Sequence, residues 1–153
     1  MFLGCFLEFA CKYKKDAYNV IMEYKKLIAY WTQSSDDDFE AVEVLYRNKQ
    51  YVHCLFFGHL VIEKLFKALY AKIYPKEPYA PKSHDLLFLA RKCGIELDLD
   101  KKILLDIINS FNINARYESY KNEFRKQCTE EFADEQIKNI EDVRKWLKTL
   151  IAQ

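Results

Sequence analysis

Polar residues recur at helical spacing inside an otherwise apolar segment, and they are the first groups in this chain that could do chemistry. His59, Glu63 and Lys67 stand four residues apart, so a helix would stack them on one face with Lys64 beside them. One interpretation is an internal ladder, in which Glu63 pairs with Lys67 and orients His59. The other is a groove that binds a phosphate or an acidic group of a partner. Spacing alone favours the ladder.

A second polar set follows an apolar helical stretch later in the chain. It consists of Asn109, Asn112, Arg116, Tyr117, Tyr120 and Lys121. The two amides and the arginine share one helix face, and an arginine with tyrosines and a lysine can hold a phosphate and stack a base. The alternative is that Arg116 binds carbonyl groups at the end of the bundle, or an acid such as Glu63. The three asparagines between 109 and 114 lower helix propensity, so we expect a bend or fraying there.

Two further groups of polar residues stand where helices are expected to begin. His84 and Asp85 precede a short apolar helix. His84 can dock its ring on the preceding proline loop, and Asp85 can interact favourably with the helix dipole. These roles are preferred over catalysis. The segment 34–38, Ser-Ser-Asp-Asp-Asp, is interpreted as an N-cap and an acidic first turn. The less favoured alternative is a metal site formed by the three acids, because neighbouring positions on a helix point in different directions.

Few residues interrupt the helical patterns that would position these groups. Only three glycines and three prolines occur, which favours an all-α fold. We predict an antiparallel, up-and-down bundle of four main helices, with a short helix and an N-terminal extension at residues 1–21. The predicted helices cover about 18–31, 34–47, 50–74, 84–93, 98–115 and 134–150. The helix over 50–74 is apolar nearly all round and should be central, with Gly58 allowing another helix to approach closely.

Composition restricts the classes of function. The net charge of +1 provides no global field for nucleic acid, so any RNA contact needs a local patch. Five scattered cysteines, without zinc spacing, indicate a reduced, cytoplasmic setting. We expect no metal and no cofactor. The apolar N-terminus lacks the positive residues that begin a signal peptide, and a soluble protein is expected.

At the level of motifs, the chain resembles the HEPN domain family over about residues 22–151. The resemblance lies in the segment 48–70 with its Glu63-Lys-x-x-Lys-Ala68 core, in His84-Asp-Leu-Leu87, and in Asn112-Ile-Asn-Ala-Arg-Tyr117, which occur in the family's order. It implies a helical bundle that commonly dimerises. Many bacterial members are encoded beside a minimal nucleotidyltransferase, and such pairs often act as toxin and antitoxin.

Catalytic members of the family are metal-independent ribonucleases, with an arginine followed after four to six residues by a histidine. Arg116 stands at the arginine position, but no histidine follows it in the chain. An Arg-x5-His match from Arg47 to His53 lies outside the family's catalytic place and is consistent with chance. The resemblance therefore implies a HEPN protein that binds a nucleotidyltransferase, and also a nucleotide or RNA, through His59, Glu63, Lys67 and Arg116.

Two other interpretations remain open. One is an RNA-cleaving toxin that uses Arg116 with His59, His84 or a partner's group as the base. The other is a structural dimer whose polar rows are only solvated. Residues 1–21 precede the resemblance, so they are either a genuine extra helix or the product of a start assigned too early, with 22–153 as the domain itself.

Overall fold

Six helices form the part of the chain that the structure describes. The computed structural model describes the backbone of residues 3–153 and the side chains of 22–117 and 122–153. The helices are α1 (Leu3–Arg47), α2 (Tyr51–Ile73), α3 (Leu86–Lys92), α4 (Leu99–Arg116), α5 (Glu118–Gln127) and α6 (Glu130–Ala152). The predicted all-α class is confirmed. The predicted boundary between an extension and a domain at residue 22 is not tested, because the side chains of 1–21 lie outside the described residues.

Contacts between helices establish the up-and-down order of α1, α2, α4 and α6. Ser35 of α1 donates to the carbonyl of Val61, and Cys54 of α2 donates to that of Val42, so α1 and α2 run antiparallel. In α6, Trp146 lies against Lys101 at the start of α4. Phe132 and Phe111 bring together the beginning of α6 and the later part of α4 in the same way. Since α2 and α6 run parallel, with Gly58 beside Ile140 and Lys72 at the Ile151 carbonyl, the four long helices alternate in direction.

The core forms around α2, as its all-round apolar sequence predicts. Thirteen of its 23 residues are buried, and they face α1, α3, α4 and α6. The expected close approach occurs at Gly58, where a Cβ atom would collide with Cδ1 of the buried Ile140 on α6. Lys72 at the other end of α2 donates to the carbonyls of Leu150 and Ile151, the last acceptors of α6.

The predicted helix start at residues 34–38 is wrong, because α1 continues through this segment. Three of its polar side chains are bound by neighbouring helices. Ser35 is fully buried against α2, Asp36 pairs with Arg144 and Lys148 of α6, and Asp38 pairs with Lys64 of α2. Asp37 accepts a hydrogen bond from Gln33 of α1 itself. The three acids therefore point to different partners, and they neither cap a helix nor converge as metal ligands.

Other boundaries differ by less. Asp85 and Asp98 are the N-caps of α3 and α4, and each side chain accepts hydrogen bonds from backbone N–H groups of its helix. The last helix begins at Glu130, four residues earlier than predicted, because Thr129 caps it. The expected fraying at 112–114 does not occur, because α4 remains helical to Arg116 and Tyr117 is its C-cap, after which α5 begins. Sequence periodicity did not predict α5.

None of the helices, as far as the structure describes them, is both long enough and apolar enough to cross a membrane.

Candidate functional site

A buried carboxylate lies at the centre of the polar row on α2. The side chain of Glu63 is 5 % exposed, and its Oε1 atom accepts a hydrogen bond from Lys67 Nζ at 2.6 Å. Its Oε2 atom accepts from His84 Nδ1 at 2.9 Å. Burial opposes ionisation of Glu63, but the bonds from Lys67 and His84 outweigh it and lower the pKa of this carboxyl. Glu63 is therefore an anion that two neighbours hold in place.

His59 is a structural member of the row. Its ring is fully buried, and Nε2 lies 2.9 Å from the backbone carbonyl oxygen of His84, which only an N–H can satisfy. The proton therefore sits on Nε2, and Nδ1 carries the lone pair 3.9 Å from Glu63 Oε2 without a hydrogen bond. Burial lowers the pKa of His59, which keeps the ring neutral. His59 fixes the loop before α3 and is not accessible to a ligand.

His84 is the exposed member of the same cluster. It precedes α3 and is held twice, through its carbonyl by His59 and through Nδ1 by Glu63, while its side chain stays 59 % exposed. Donation from Nδ1 to a carboxylate leaves the lone pair on Nε2 in the neutral ring. A carboxylate that orients an imidazole in one tautomer is an arrangement suited to proton transfer. The sequence favoured docking of His84 on the proline loop over catalysis, and its bond to Glu63 was not predicted.

Lys67 is held from its other side by an aromatic ring. Its Nζ atom lies 5.0 Å from the centroid of the Trp31 ring on α1, within cation–π range. Because the same ammonium group bonds Glu63, the contacts run from Trp31 through Lys67 and Glu63 to His84. Trp31 is the last residue of the predicted helix over 18–31, and nothing in its local sequence indicates this contact.

Asn109 joins α4 to the start of α3. Its Oδ1 atom accepts from the backbone N–H of Leu86 at 3.1 Å, and its Nδ2 donates to Asp85 Oδ1 at 3.3 Å. The same Asp85 oxygen caps α3 by accepting from Leu87 and Phe88. Asn109 thus positions the loop that carries His84, and it acts as a structural group and not as a ligand donor.

Lys64 points away from this cluster. Its Nζ atom lies 2.6 Å from Asp38 Oδ2 and donates to the carbonyl of Ser34 at 3.3 Å, both on α1. The prediction placed Lys64 beside the row, but the structure uses it to fasten α2 to α1.

Arg116 lies at the C-terminal end of α4, and its side chain is exposed. Its Nη1 atom donates to Oδ1 of the buried Asn112 at 3.4 Å, so the two predicted residues do meet. Tyr117 follows with 59 % of its side chain exposed. The alternative pairing of Arg116 with Glu63 is not found, since Glu63 bonds Lys67 and His84. Tyr120 and Lys121, predicted members of this set, lie outside the residues whose side chains are described.

The predicted residues therefore form two groups. His59, Glu63, Lys67, His84 and Asn109 form one connected network between α2 and the start of α3. Asn112, Arg116 and Tyr117 form a second group at the end of α4. Among the described side chains, no cluster of three or more histidine, cysteine or acidic residues could hold a metal ion.

Comparison with known proteins assigns the family. The model of the family described as HEPN domain matches residues 28–150, about four fifths of the chain. The chain belongs to the HEPN domain family. No curated protein and no solved structure matches it.

Within this HEPN domain, the three histidines differ in what they can do. His53 is exposed in the first turn of α2, His59 is buried, and His84 is exposed and oriented by Glu63. None of them follows Arg116 in the sequence. His59 bonds the backbone carbonyl of His84, and His84 bonds Glu63. Among the described side chains, neither histidine forms a hydrogen bond with Arg116.

Proposed function

We propose that this HEPN protein acts by binding and not by cutting RNA. It would act as a homodimer that engages a minimal nucleotidyltransferase, and a nucleotide or RNA, in a module of the toxin–antitoxin type. The observation that carries the proposal is the composition of the two polar groups. The row on α2 satisfies its charges internally, and Arg116 is exposed at the end of α4 with no histidine after it in the sequence.

The internal bonds of Glu63 limit what the α2 row can bind. A phosphate approaching Lys67 would meet the anionic Glu63, whose 2.6 Å bond to Lys67 already neutralises the ammonium group. The second group has the opposite character. Arg116 presents a guanidinium at the surface, where it can hold a phosphate. Ligand contact is therefore assigned to Arg116.

RNA cleavage and RNA binding test this proposal together. Labelled total RNA is incubated with the purified protein in the presence of a chelator, and binding is measured by filter retention across a salt series. We expect no cleavage, and weaker binding for Arg116→Ala with a smaller salt slope. Arg91→Ala, which removes an exposed arginine from the last turn of α3, is the matched control and should bind like the parent. An equal loss of RNA binding in the Arg116→Ala and Arg91→Ala variants would mean that binding depends on overall charge and not on this site.

The nucleotidyltransferase is tested separately by co-expression. A minimal nucleotidyltransferase from the same genome, tagged for purification, should retain the HEPN chain through size-exclusion chromatography. Failure of every such enzyme to form a complex would remove this partner from the proposal while leaving RNA binding untouched.

A second candidate function, RNA cleavage by a non-standard histidine, is favoured by one observation. His84 is the only described histidine that is both exposed and oriented by a carboxylate. As a base it would accept the proton of a ribose 2′-hydroxyl, while Arg116 stabilised charge on the phosphate. Chelator-resistant cleavage that disappears in His84→Ala and Arg116→Ala, and persists in His53→Ala, would establish this function and exclude the first.

A further inference from the structure

An unusual row of side chains lies on the solvent side of α4. Leu99, Ile103, Ile113 and Tyr117 are 69, 52, 51 and 59 % exposed, although each is large and mostly apolar. The opposite face of the same helix is already buried through Leu105, Ile108 and Phe111. The exposed row therefore cannot turn inward, and an apolar row of this length at the surface marks an interaction site. We call it the α4 seam.

The spacing of the α4 seam is that of a coiled coil. The seam comprises Leu99, Ile103, Asp106, Ser110, Ile113 and Tyr117, and successive members stand four, three, four, three and four residues apart. This alternation keeps side chains on the line that faces one partner helix. Since α4 has 18 residues, the seam is about 27 Å long. The expected occupant is therefore a helix of similar length.

The order of the side chains identifies that helix. In two antiparallel helices, opposed residues are those equally far from a common centre. When the centre lies at position 108, Leu99 opposes Tyr117, Ile103 opposes Ile113, and Asp106 opposes Ser110. Every apolar member then meets an apolar member, and the one acid meets a hydroxyl. A second copy of α4 is complementary to the first along the whole seam.

We propose that the α4 seams of two copies of this chain pack against each other, antiparallel, about a two-fold axis at position 108. This inference rests on the homodimer of the proposed function and specifies its surface. The net charge of +1 adds little repulsion between copies. A two-fold axis also makes the contact isologous, so it closes at two chains.

The polar centre of the seam fixes this register. Ser110 Oγ now donates to the carbonyl of Ile107 in its own helix at 2.6 Å. A hydroxyl rotates freely, so it can donate instead to Asp106 of the second copy. Displacement of one helix along the other would bury Asp106 against isoleucine, which costs free energy because the carboxylate loses its partner. A polar pair in a coiled-coil seam specifies register in this way.

The arrangement has a consequence for Arg116, which lies on the flank of the seam. A two-fold axis perpendicular to both helices keeps corresponding flanks on the same side of the pair. Arg116 of both copies would therefore open on one face of the dimer, where a single extended ligand could contact both.

The first test is the mass in solution, by size-exclusion chromatography with light scattering. The parent protein should have twice the chain mass of 18.3 kDa. Ile103→Glu places a charge in the seam and should raise the dimer dissociation constant at least tenfold, without changing the thermal unfolding of the monomer. Val44→Glu is the matched control, because Val44 is a 50 % exposed apolar residue on α1, and it should remain dimeric.

The register is tested by disulfide formation in a background with Cys5 and Cys11 replaced by serine. A mixture of the Ile103→Cys and Ile113→Cys variants should form a disulfide-linked dimer, because position 103 of one chain opposes position 113 of the other. Either variant alone should not, because its two copies of the cysteine lie ten residues apart along the helices, about 15 Å, which is beyond the roughly 7 Å Cα separation that a disulfide spans.

The outcomes separate this inference from the proposed function. A dimer that survives Ile103→Glu and forms no mixed disulfide uses another surface, and the α4 inference is then wrong while the homodimer stands. A parent protein that is monomeric at every accessible concentration overturns both the seam and the homodimer. The effect of Arg116→Ala on RNA binding remains an independent measurement in either case.

Discussion

Glu63 Oε2 accepts a hydrogen bond from His84 Nδ1 at 2.9 Å and thereby joins the middle of α2 to the loop that starts α3. The two residues are 21 positions apart, and one is buried while the other is exposed. A buried carboxylate costs free energy that an apolar side chain would not, so its retention depends on its partners. Its contacts to His84 and Lys67 provide the first prediction.

Lys67→Met removes one of the two partners of Glu63 and should lower the free energy of unfolding by about 2–3 kcal/mol, because the carboxylate keeps only His84. The double variant Glu63→Gln, Lys67→Met should be more stable than Lys67→Met alone, since no unpaired charge remains. Urea denaturation at pH 7 measures both. A double variant less stable than the single one would contradict this and show that the Glu63 carboxylate stabilises the fold through His84 even without Lys67.

The stability should depend on pH through His59. Burial lowers the pKa of this histidine below its usual value of 6.5, so in acid the unfolded chain binds a proton that the folded chain does not. The contribution of the neutral ring is therefore complete above pH 6.5 and is lost as the pH falls toward the lowered folded pKa. His59→Gln keeps a donor for the His84 carbonyl without titrating. The melting temperature of the His59→Gln variant should fall less than that of the parent between pH 7.5 and 5.5. If the melting temperatures of the two proteins change equally with pH, the stability does not depend on the titration of His59.

Gly58→Ala tests the close approach of α2 and α6. Alanine gains about 1 kcal/mol of helix propensity over glycine, but its methyl group collides with Ile140 Cδ1 in a packed core, where overpacking costs about 1–3 kcal/mol. We expect a net loss of stability. Ile140→Val removes the colliding atom, so the double variant should recover part of that loss despite the smaller side chain. Additive losses in a double-mutant cycle would show that the helices separate to accommodate the methyl group.

The buried cysteines should be unreactive. Burial raises the pKa of Cys54 and Cys93 to about 12 and that of Cys128 to about 11, so almost no thiolate is present near neutrality. In a variant with Cys5 and Cys11 replaced by serine, a thiol reagent at pH 8 should modify nothing until denaturant is added, and then three thiols. Rapid modification of one thiol in the native protein would reveal local opening around it.

The sequence predicts best what a single helix determines. The ladder of Glu63 and Lys67 follows from their spacing of four residues, and the central position of α2 follows from its apolar surface. Contacts between distant elements were not predictable, because no local pattern brings His84 to Glu63 or Trp31 to Lys67. Arg116 and Asn112, again four residues apart, share the helix face that the spacing predicts, but the hydrogen bond between them was not predicted.

The errors in helix boundaries have a common physical origin. Residues 34–38 have the composition of an N-cap, but Asp36 and Asp38 find cations on α6 and α2, which removes the reason to end the helix there. Tertiary pairing prevailed over local capping. The start of α6 is different, because Thr129 with the acidic Glu130 and Glu131 behind it is a capping signal within the sequence itself. That signal was present and was overlooked.

The cation–π contacts of the two tryptophans provide the protein with separate optical reporters. Trp31 lies under Lys67, in the chain of contacts that ends at His84, and Trp146 lies 5.8 Å from Lys101, beside the first turn of α4. Tryptophan emission responds to a nearby charge, so the single-tryptophan variants Trp146→Phe and Trp31→Phe would monitor the two places independently. Fluorescence from Trp31 would follow events at the polar row, and fluorescence from Trp146 would follow the packing of α6 against the first turn of α4.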